Sequence, residues 1–241
     1  KINLKHGMNV TEINTSAQTV TLSNGEQLEF DKLVLATGAI PRSLDSTEGL
    51  SNVFVLRQPD DATAIRTTAR NVNSAVIIGG GYIGLEVAAS LRQMGLEVSV
   101  VEMADRLLAR VASPAVAQLL NDLHVERGVA VHTGASVDKI TNSNGQFSGV
   151  TLSDGSALSG DMLIVGIGVI PDSVLAQQAG VETERHDGGA ILVNTSMETS
   201  NPNIIAMGDV ALQRGHSLRI ESVHNAQDTA ARAAAAIMGE S

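Results

Sequence analysis

The sequence predicts an α/β protein in which one copy of a strand, helix and β-meander module is inserted into a second copy. Three observations predict it. Residues 22–41 (LSNGEQLEFDKLVLATGAIP) repeat as residues 152–171 (LSDGSALSGDMLIVGIGVIP), with Gly25/Gly155, Leu28/Leu158, Asp31/Asp161, Leu33/Leu163, Gly38/Gly168 and Pro41/Pro171 in register at a constant offset of 130 residues. Ahead of the second copy an apolar strand runs into a glycine turn and a helix, the order of a right-handed parallel unit. The composition, 43% hydrophobic with 23 glycines and aromatics only at Phe30, Phe54, Tyr82 and Phe147, suits a parallel sheet covered by helices.

The elements follow in order. Residues 17–36 alternate as strands around Asn24-Gly25, a two-residue hairpin signal, and close on the apolar strand 33–36. Pro59, Asp60 and Asp61 open a helix over 62–69. Then come a strand at 75–78, the glycine turn, a helix at 82–94 stopped by Gly95, a strand at 97–102, and a helix started by Ser113-Pro114 and ended at Gly128. The second meander turns at Asp154-Gly155 and closes on a strand at 162–167. Short strands at 190–194 and 203–207 and an alanine-rich helix at 221–238 complete the chain. With no glycine turn of their own, these last residues complete the first module. The expected division is therefore 1–45 with 171–241 as one discontinuous domain, 73–170 as the inserted domain, and 46–72 as a connecting segment.

Gly79 lies 73 residues ahead of Leu152, whereas only 21 residues precede Leu22. By the same spacing the first module's glycine turn would stand ahead of Lys1, so the sequence reads as a piece of a longer protein with two nucleotide sites. A sheet without its first strand and helix is expected to expose edges and apolar faces, and hence to be poorly stable or to self-associate.

Bulk properties exclude several classes. A net charge of −10 and a pI near 5.0, with almost no aromatic side chains, argue against nucleic acid as a partner. The absence of cysteine removes disulfides, thiolate metal sites and a catalytic Cys-x-x-Cys from these residues. No apolar run approaches the ~20 residues of a membrane span, and a cytoplasmic location is expected. His6, His124, His132, His186, His216 and His224 lack metal-ligand spacing, so no metal site is expected.

Gly79-Gly80-Gly81-Tyr82-Ile83-Gly84 fits G-x-G-x-x-G. The chemistry needs a tight turn at Gly79, bare backbone at Gly81 where a pyrophosphate approaches the helix N-terminus, and close helix packing at Gly84. Glu102, 23 residues after Gly79 at the end of the next strand, is placed to accept hydrogen bonds from ribose hydroxyls. The pattern is that of a Rossmann-like dinucleotide site. Glu86, in the first turns of the helix, is either a carboxylate stabilised by the helix dipole or a neighbour of the nicotinamide. Tyr82 either covers a nicotinamide pocket or fills a gap between domains. Gly208-Asp209, at the end of an apolar strand, sets a carboxylate over the sheet edge where cofactors bind, or is a turn.

These residues resemble the flavin-dependent pyridine nucleotide oxidoreductases of the two-dinucleotide-fold type. The resemblance rests on Ala36-Thr37-Gly38, Gly79 to Gly84 with Glu86, Gly166-Ile167-Gly168 with Pro171, and Gly208-Asp209, and it covers essentially the whole chain. The run from Arg219 to Ala226 (RIESVHNA) is similar to the branch of NADH-dependent ferredoxin reductases, which includes putidaredoxin and rhodocoxin reductases and the reductase components of aromatic-ring dioxygenases. The resemblance implies FAD in the first domain and NAD(H) in the inserted one. It implies that Val10 lines the adenosine end of FAD, that Ala36, Thr37, Gly38, Arg57 and Gly208 meet FAD, that Asp209 holds the ribityl chain, and that Val223 approaches the flavin ring. Gly79, Gly81, Tyr82, Ile83, Gly84 and Glu102 would hold NAD, with Gly168 near the nicotinamide. Gln58-Pro59 departs from the branch, which usually carries a threonine and a non-proline residue after the arginine.

The implied reaction is hydride transfer from NADH to the flavin, followed by single-electron delivery to a ferredoxin or rubredoxin-type iron–sulfur protein serving an oxygenase. Two alternatives stand beside it. One is a disulfide or coenzyme A disulfide reductase or NADH oxidase of the same family; the other is an NAD(H)-binding module without an intact FAD site.

Glu102 would repel a 2′-phosphate, and Met103 and Ala104 rather than an arginine follow it, although Arg106 and Arg110 lie close behind. Steady-state kinetics of the intact protein should therefore show a clear preference for NADH, and equal or better use of NADPH would contradict this.

Overall fold

The computed structural model describes residues 2–185 and 188–239. The chain divides into two compact units, one formed by Lys1–Ile40 with Ile170–Ser241 and the other by Pro41–Val169.

In the first unit, β1 (Val10–Asn14), β2 (Thr19–Leu22) and β3 (Gln27–Glu29) form an antiparallel meander. The signal Asn24-Gly25 makes its second turn, with Gly25 at φ +84°. β4 (Leu33–Leu35) follows, and β5 (Ala39–Pro41) leads out of the unit.

The second unit opens with β6 (Val53–Phe54) and α1 (Pro59–Ala69). Segment 46–72, expected to be only a connection, is part of this unit. β6 pairs in parallel with a later strand, and Ile65 and Ala69 of α1 are buried in its core. α1 starts at Pro59, earlier than expected, because Gln58 and Asp61 form a capping box and proline suits the first helical turn. The series continues with β7 (Ser74–Ile78), α2 (Tyr82–Gln93), β8 (Glu97–Glu102), α3 (Pro114–Glu126) and β9 (Val129–Thr133). Gly95 at φ +95° stops α2, and the Ser113 hydroxyl accepts from the Val116 N–H to cap α3.

A second meander, β10 (Val137–Ser143), β11 (Gln146–Leu152) and β12 (Ala157–Ser159), is followed by β13 (Met162–Val165) and β14 (Val169–Pro171). Its first turn, Asn144-Gly145, has φ of +52° and +74°, a second hairpin signal that the sequence reading passed over. The order β6-β13-β7-β8-β9 is a parallel sheet. Alternate strand residues serve opposite faces, as the two-residue period of a strand requires. Ala75, Ile77, Val98, Val100, Met162 and Ile164 pack with the helices, while Val76, Ile78, Val101, Leu163 and Val165 pack with Ile140, Phe147, Val150 and Leu152 of the meander. Helices, sheet and meander thus make three layers.

The chain then returns to the first unit with α4 (Val174–Gln178), β15 (Ile191–Val193), β16 (Ile204–Ala206), β17 (Ala211–Gln213) and α5 (Val223–Met238). β16 pairs in parallel with β4, and β15 with β17. Their buried residues join Ile13, Val20, Val210 and Ala233 in one core. Among the described residues no helix is long and apolar enough to cross a membrane.

Two side chains tie the second unit's layers together. The buried Asn52 amide donates to the carbonyls of Phe147 (2.9 Å) and Asp161 (2.6 Å) and accepts from the Phe147 N–H (2.6 Å). Asn52→Ala leaves these backbone groups unpaired, so urea denaturation should report a loss of about 1–3 kcal/mol. One Asp161 carboxylate oxygen accepts from the N–H groups of Asn73 and Ser74, both at 3.0 Å, and from the Ser74 hydroxyl at 2.8 Å. The Asn73 N–H and then the Ser74 hydroxyl, both favouring the ionised form, hold the carboxyl below its ordinary range. Because the folded state lowers this pKa, the stabilisation is present above about pH 4 and is lost as pH falls through the folded value. The stability difference between wild type and Asp161→Asn should therefore shrink on acidification from pH 6 to about pH 2.5.

Candidate functional site

In the second unit the glycine turn joins β7 to α2, and each glycine has its own reason. Gly79 sits at φ +111°, and a Cβ there would lie 2.2 Å from the Gly166 carbonyl oxygen. Its N–H donates to the Val101 carbonyl at 2.8 Å. A Cβ on Gly84 would lie 2.0 Å from the Gly79 carbonyl oxygen, so the helix approaches the turn as closely as backbone allows. At Gly81 the backbone is extended (φ −82°, ψ −177°), and an added Cβ meets nothing within 4 Å. Gly81 caps α2 without any side-chain hydrogen bond, and no acid lies in the first turn. The positive end of the helix therefore stays available to an anion.

Glu102, at the end of β8, is half-buried, and its carboxylate clamps this turn. Oε2 accepts from the Gly80 N–H at 2.7 Å and Oε1 from the Ala104 N–H at 2.8 Å. Each oxygen retains acceptor capacity for a ligand hydroxyl. Gly80, the second residue of the G-x-G-x-x-G turn, is fixed by this contact. A Cβ there would lie 2.6 Å from Leu107 Cδ2 and 3.0 Å from Glu102 Cβ. Its signal was only that it is a third glycine. Met103, Tyr82 and Ile83 are exposed around the turn, Tyr82 at 59%. Glu86 is exposed on α2. Gly168 has φ +98°, and a Cβ there would lie 3.6 Å from Arg110 Nη2.

In the first unit, the Thr37 hydroxyl donates to the Asp172 carbonyl at 2.5 Å, and the Asp172 N–H donates to the Gly38 carbonyl at 2.9 Å. Ala36, Thr37 and Gly38 thus form a held loop beyond β4, with Gly38 at φ +71°. Gly208, beyond the carboxyl end of β16, also has φ +71°, and its N–H donates to the Thr229 hydroxyl of α5 at 3.0 Å. Asp209 is half-buried, and its carbonyl accepts from Arg219 Nη1 at 2.7 Å. Arg219, its side chain 7% exposed, pairs with Glu221 at 2.7 Å. Nothing in the spacing of Thr229, or of Arg219 at the head of the RIESVHNA run, marks either as a support of Gly208-Asp209. Val223 is the exposed first residue of α5, and Val10 is half-buried in β1. Arg57 lies in the second unit, its N–H held by Asp61 at 2.8 Å just ahead of α1. Among the described residues no group of His, Cys, Asp or Glu is arranged to hold a metal; His186 lies outside them.

The sequence profile of the pyridine nucleotide-disulphide oxidoreductase family matches residues 1–230. Putidaredoxin reductase CamA of Pseudomonas putida is 41% identical, over 99% of this chain and 58% of that protein. A rubredoxin-NAD(+) reductase of the same organism is 37% identical over 100% of this chain and 63% of that one. The crystal structure of the ferredoxin reductase for the CYP199A2 system from Rhodopseudomonas palustris superposes with a TM-score of 0.91 at 38% identity, covering 97% of this chain and 58% of that one. The chain thus spans about three-fifths of the length of these relatives.

Gly81 and Gly84 should separate by experiment. Gly81→Ala adds a methyl where the backbone tolerates it and nothing is touched. Its melting temperature should stay near wild type while NADH affinity falls by at least about tenfold, or about 1.4 kcal/mol. Gly84→Ala should instead lose the folded state, read by near-ultraviolet circular dichroism and proteolysis.

Proposed function

Because the chain belongs to the pyridine nucleotide-disulphide oxidoreductase family, we propose that it carries an NADH-binding unit, Pro41–Val169, and FAD-binding residues in its other unit. We propose further that the protein passes electrons from NADH through FAD to a ferredoxin or rubredoxin-type iron–sulfur protein of an oxygenase system. The observation that carries the nucleotide assignment is the Glu102 carboxylate, fixed on Gly80 and Ala104 beside the uncapped start of α2. The acceptor class rests on relatives named for putidaredoxin, rubredoxin and ferredoxin systems. A cytoplasmic location is part of the same proposal.

In this reading Gly81 and the first amides of α2, with Tyr82 and Ile83, receive the pyrophosphate. Glu102 accepts from the adenosine ribose, Gly79 and Gly84 shape the turn, and Gly168 borders the nicotinamide. Glu86 is a polar neighbour of the nicotinamide rather than an acid or base. For FAD, the residues fit the group. Gly208 turns the chain left-handed beyond a buried parallel strand, which sets the half-buried Asp209 at the carboxyl edge of β4 and β16. Asp209 holds the ribityl chain there, Val10 lines the adenosine end, Val223 approaches the flavin ring, and Ala36, Thr37 and Gly38 meet FAD. Bound FAD supplies acceptance of a hydride and release of electrons one at a time. The side chains of this chain bind and orient, and none is required as a nucleophile.

Anaerobic titration of the purified protein with NADH, followed in the visible flavin spectrum, tests the proposal. Full bleaching at one NADH per flavin, without a long-wavelength thiolate band, is expected. A flavin that does not respond to NADH, or such a band with extra reducing equivalents taken up, would overturn it. Asp209→Ala should purify with substantially less flavin than wild type, read from the ratio of visible to protein absorbance.

A further inference from the structure

The loop between β8 and α3 contains a strained residue, Leu108. Its φ is +51°, a left-handed conformation that a branched, bulky side chain seldom adopts. Such backbone persists only where its surroundings over-determine it. Here the side chain, 3% exposed, belongs to the same core as Leu85, Ala88 and Leu107. The Leu108 carbonyl accepts from the N–H groups of Val111 and Ala112, both at 3.0 Å. The Leu108 N–H donates to the Gly80 carbonyl, also at 3.0 Å.

That last bond reaches the glycine turn. Across a trans peptide the carbonyl of one residue and the N–H of the next point in opposite directions, and the described residues contain no cis peptide. With the Gly80 carbonyl drawn toward Leu108, the Gly81 N–H must point away from the covering loop. The preceding peptide is fixed as well, because the Gly80 N–H is bound to Glu102 at 2.7 Å.

We infer that Leu108 is a positioning residue for the dinucleotide site. Its buried side chain holds a left-handed backbone whose N–H fixes the Gly80 carbonyl, and this aims the Gly81 amide at the pyrophosphate. The inference rests on reading the glycine turn as the NADH site. A turn that populates other peptide orientations binds NADH more weakly in proportion to the competent fraction.

The order of two variants distinguishes positioning from packing. Leu108→Ala removes the side-chain anchor while keeping the steric penalty of a left-handed backbone. Leu108→Gly removes more buried surface but adopts that backbone freely. If Leu108 only packs, Leu108→Gly should bind NADH no better than Leu108→Ala. If it positions, NADH affinity, measured on the full protein by the change in NADH fluorescence, should fall about tenfold in Leu108→Ala and recover by about fivefold in Leu108→Gly. Because relief of the strain also affects stability, both variants are compared well below their melting temperatures, where each is fully folded. A Leu108→Gly affinity no better than that of Leu108→Ala would overturn the inference, and failure of wild type itself to bind NADH would overturn the underlying site reading instead. Should either variant not fold, hydrogen exchange on wild type decides. A Leu108 amide protected to the level of β7 and β8 is expected, and an amide exchanging as fast as exposed loops overturns the inference.

Discussion

The second unit depends on one carboxylate at the end of a buried strand. Glu102 leaves the apolar run of β8 and uses both oxygens on backbone amides, one in the glycine turn and one in its own exit loop. A half-buried polar group is costly without hydrogen bonds and well tolerated with them, so the same two contacts that satisfy the carboxylate also fix the geometry of the turn. Gly80 must be bare because Glu102 and Leu107 press against it, and Gly79 and Gly84 must be bare because backbone presses against them. What remains open is Gly81 and the helix end without a side-chain cap, the kind of backbone site that receives an anion.

The duplicated modules show how one pattern serves two surroundings. Asn24-Gly25 and Asp154-Gly155 make equivalent turns, and Gly38 and Gly168 both turn left-handed after the closing strand. β13 lies between β6 and β7 in a parallel sheet, with residues 162–165 all buried. β4, its counterpart, pairs with β16 from far along the chain. That long-range pairing places Gly38 and Gly208, each with φ +71°, beyond the carboxyl ends of neighbouring parallel strands.

Much of the fold was legible because it follows local rules. The helical period, the apolar strand runs, the Ser113-Pro114 start and the Gly95 stop set α2, α3, β7, β8 and β13 to within about two residues, whereas β9 was not anticipated. The G-x-G-x-x-G turn and Glu102 were legible because their spacing is dictated by one strand, one helix and one more strand. Other features depend on contacts distant in sequence. β6 is two residues long and has no period of its own, so segment 46–72 read as a connection. The pairing of β15 with β17, the Thr229 hydroxyl under Gly208, and the left-handed backbone of Leu108 exist only once the core has formed. The last of these inverts the usual signal, since a left-handed position is ordinarily announced by glycine.

The central claim is that the turn held by Glu102 is where the dinucleotide binds. Titrating the 15N-labelled protein with NAD+ and following backbone amide resonances tests it most directly. The account predicts the largest shifts at Gly80, Gly81, Tyr82, Ile83 and Ala104, with the meander β10 to β12 nearly silent. Saturable binding that leaves those amides unmoved and shifts another region would contradict it.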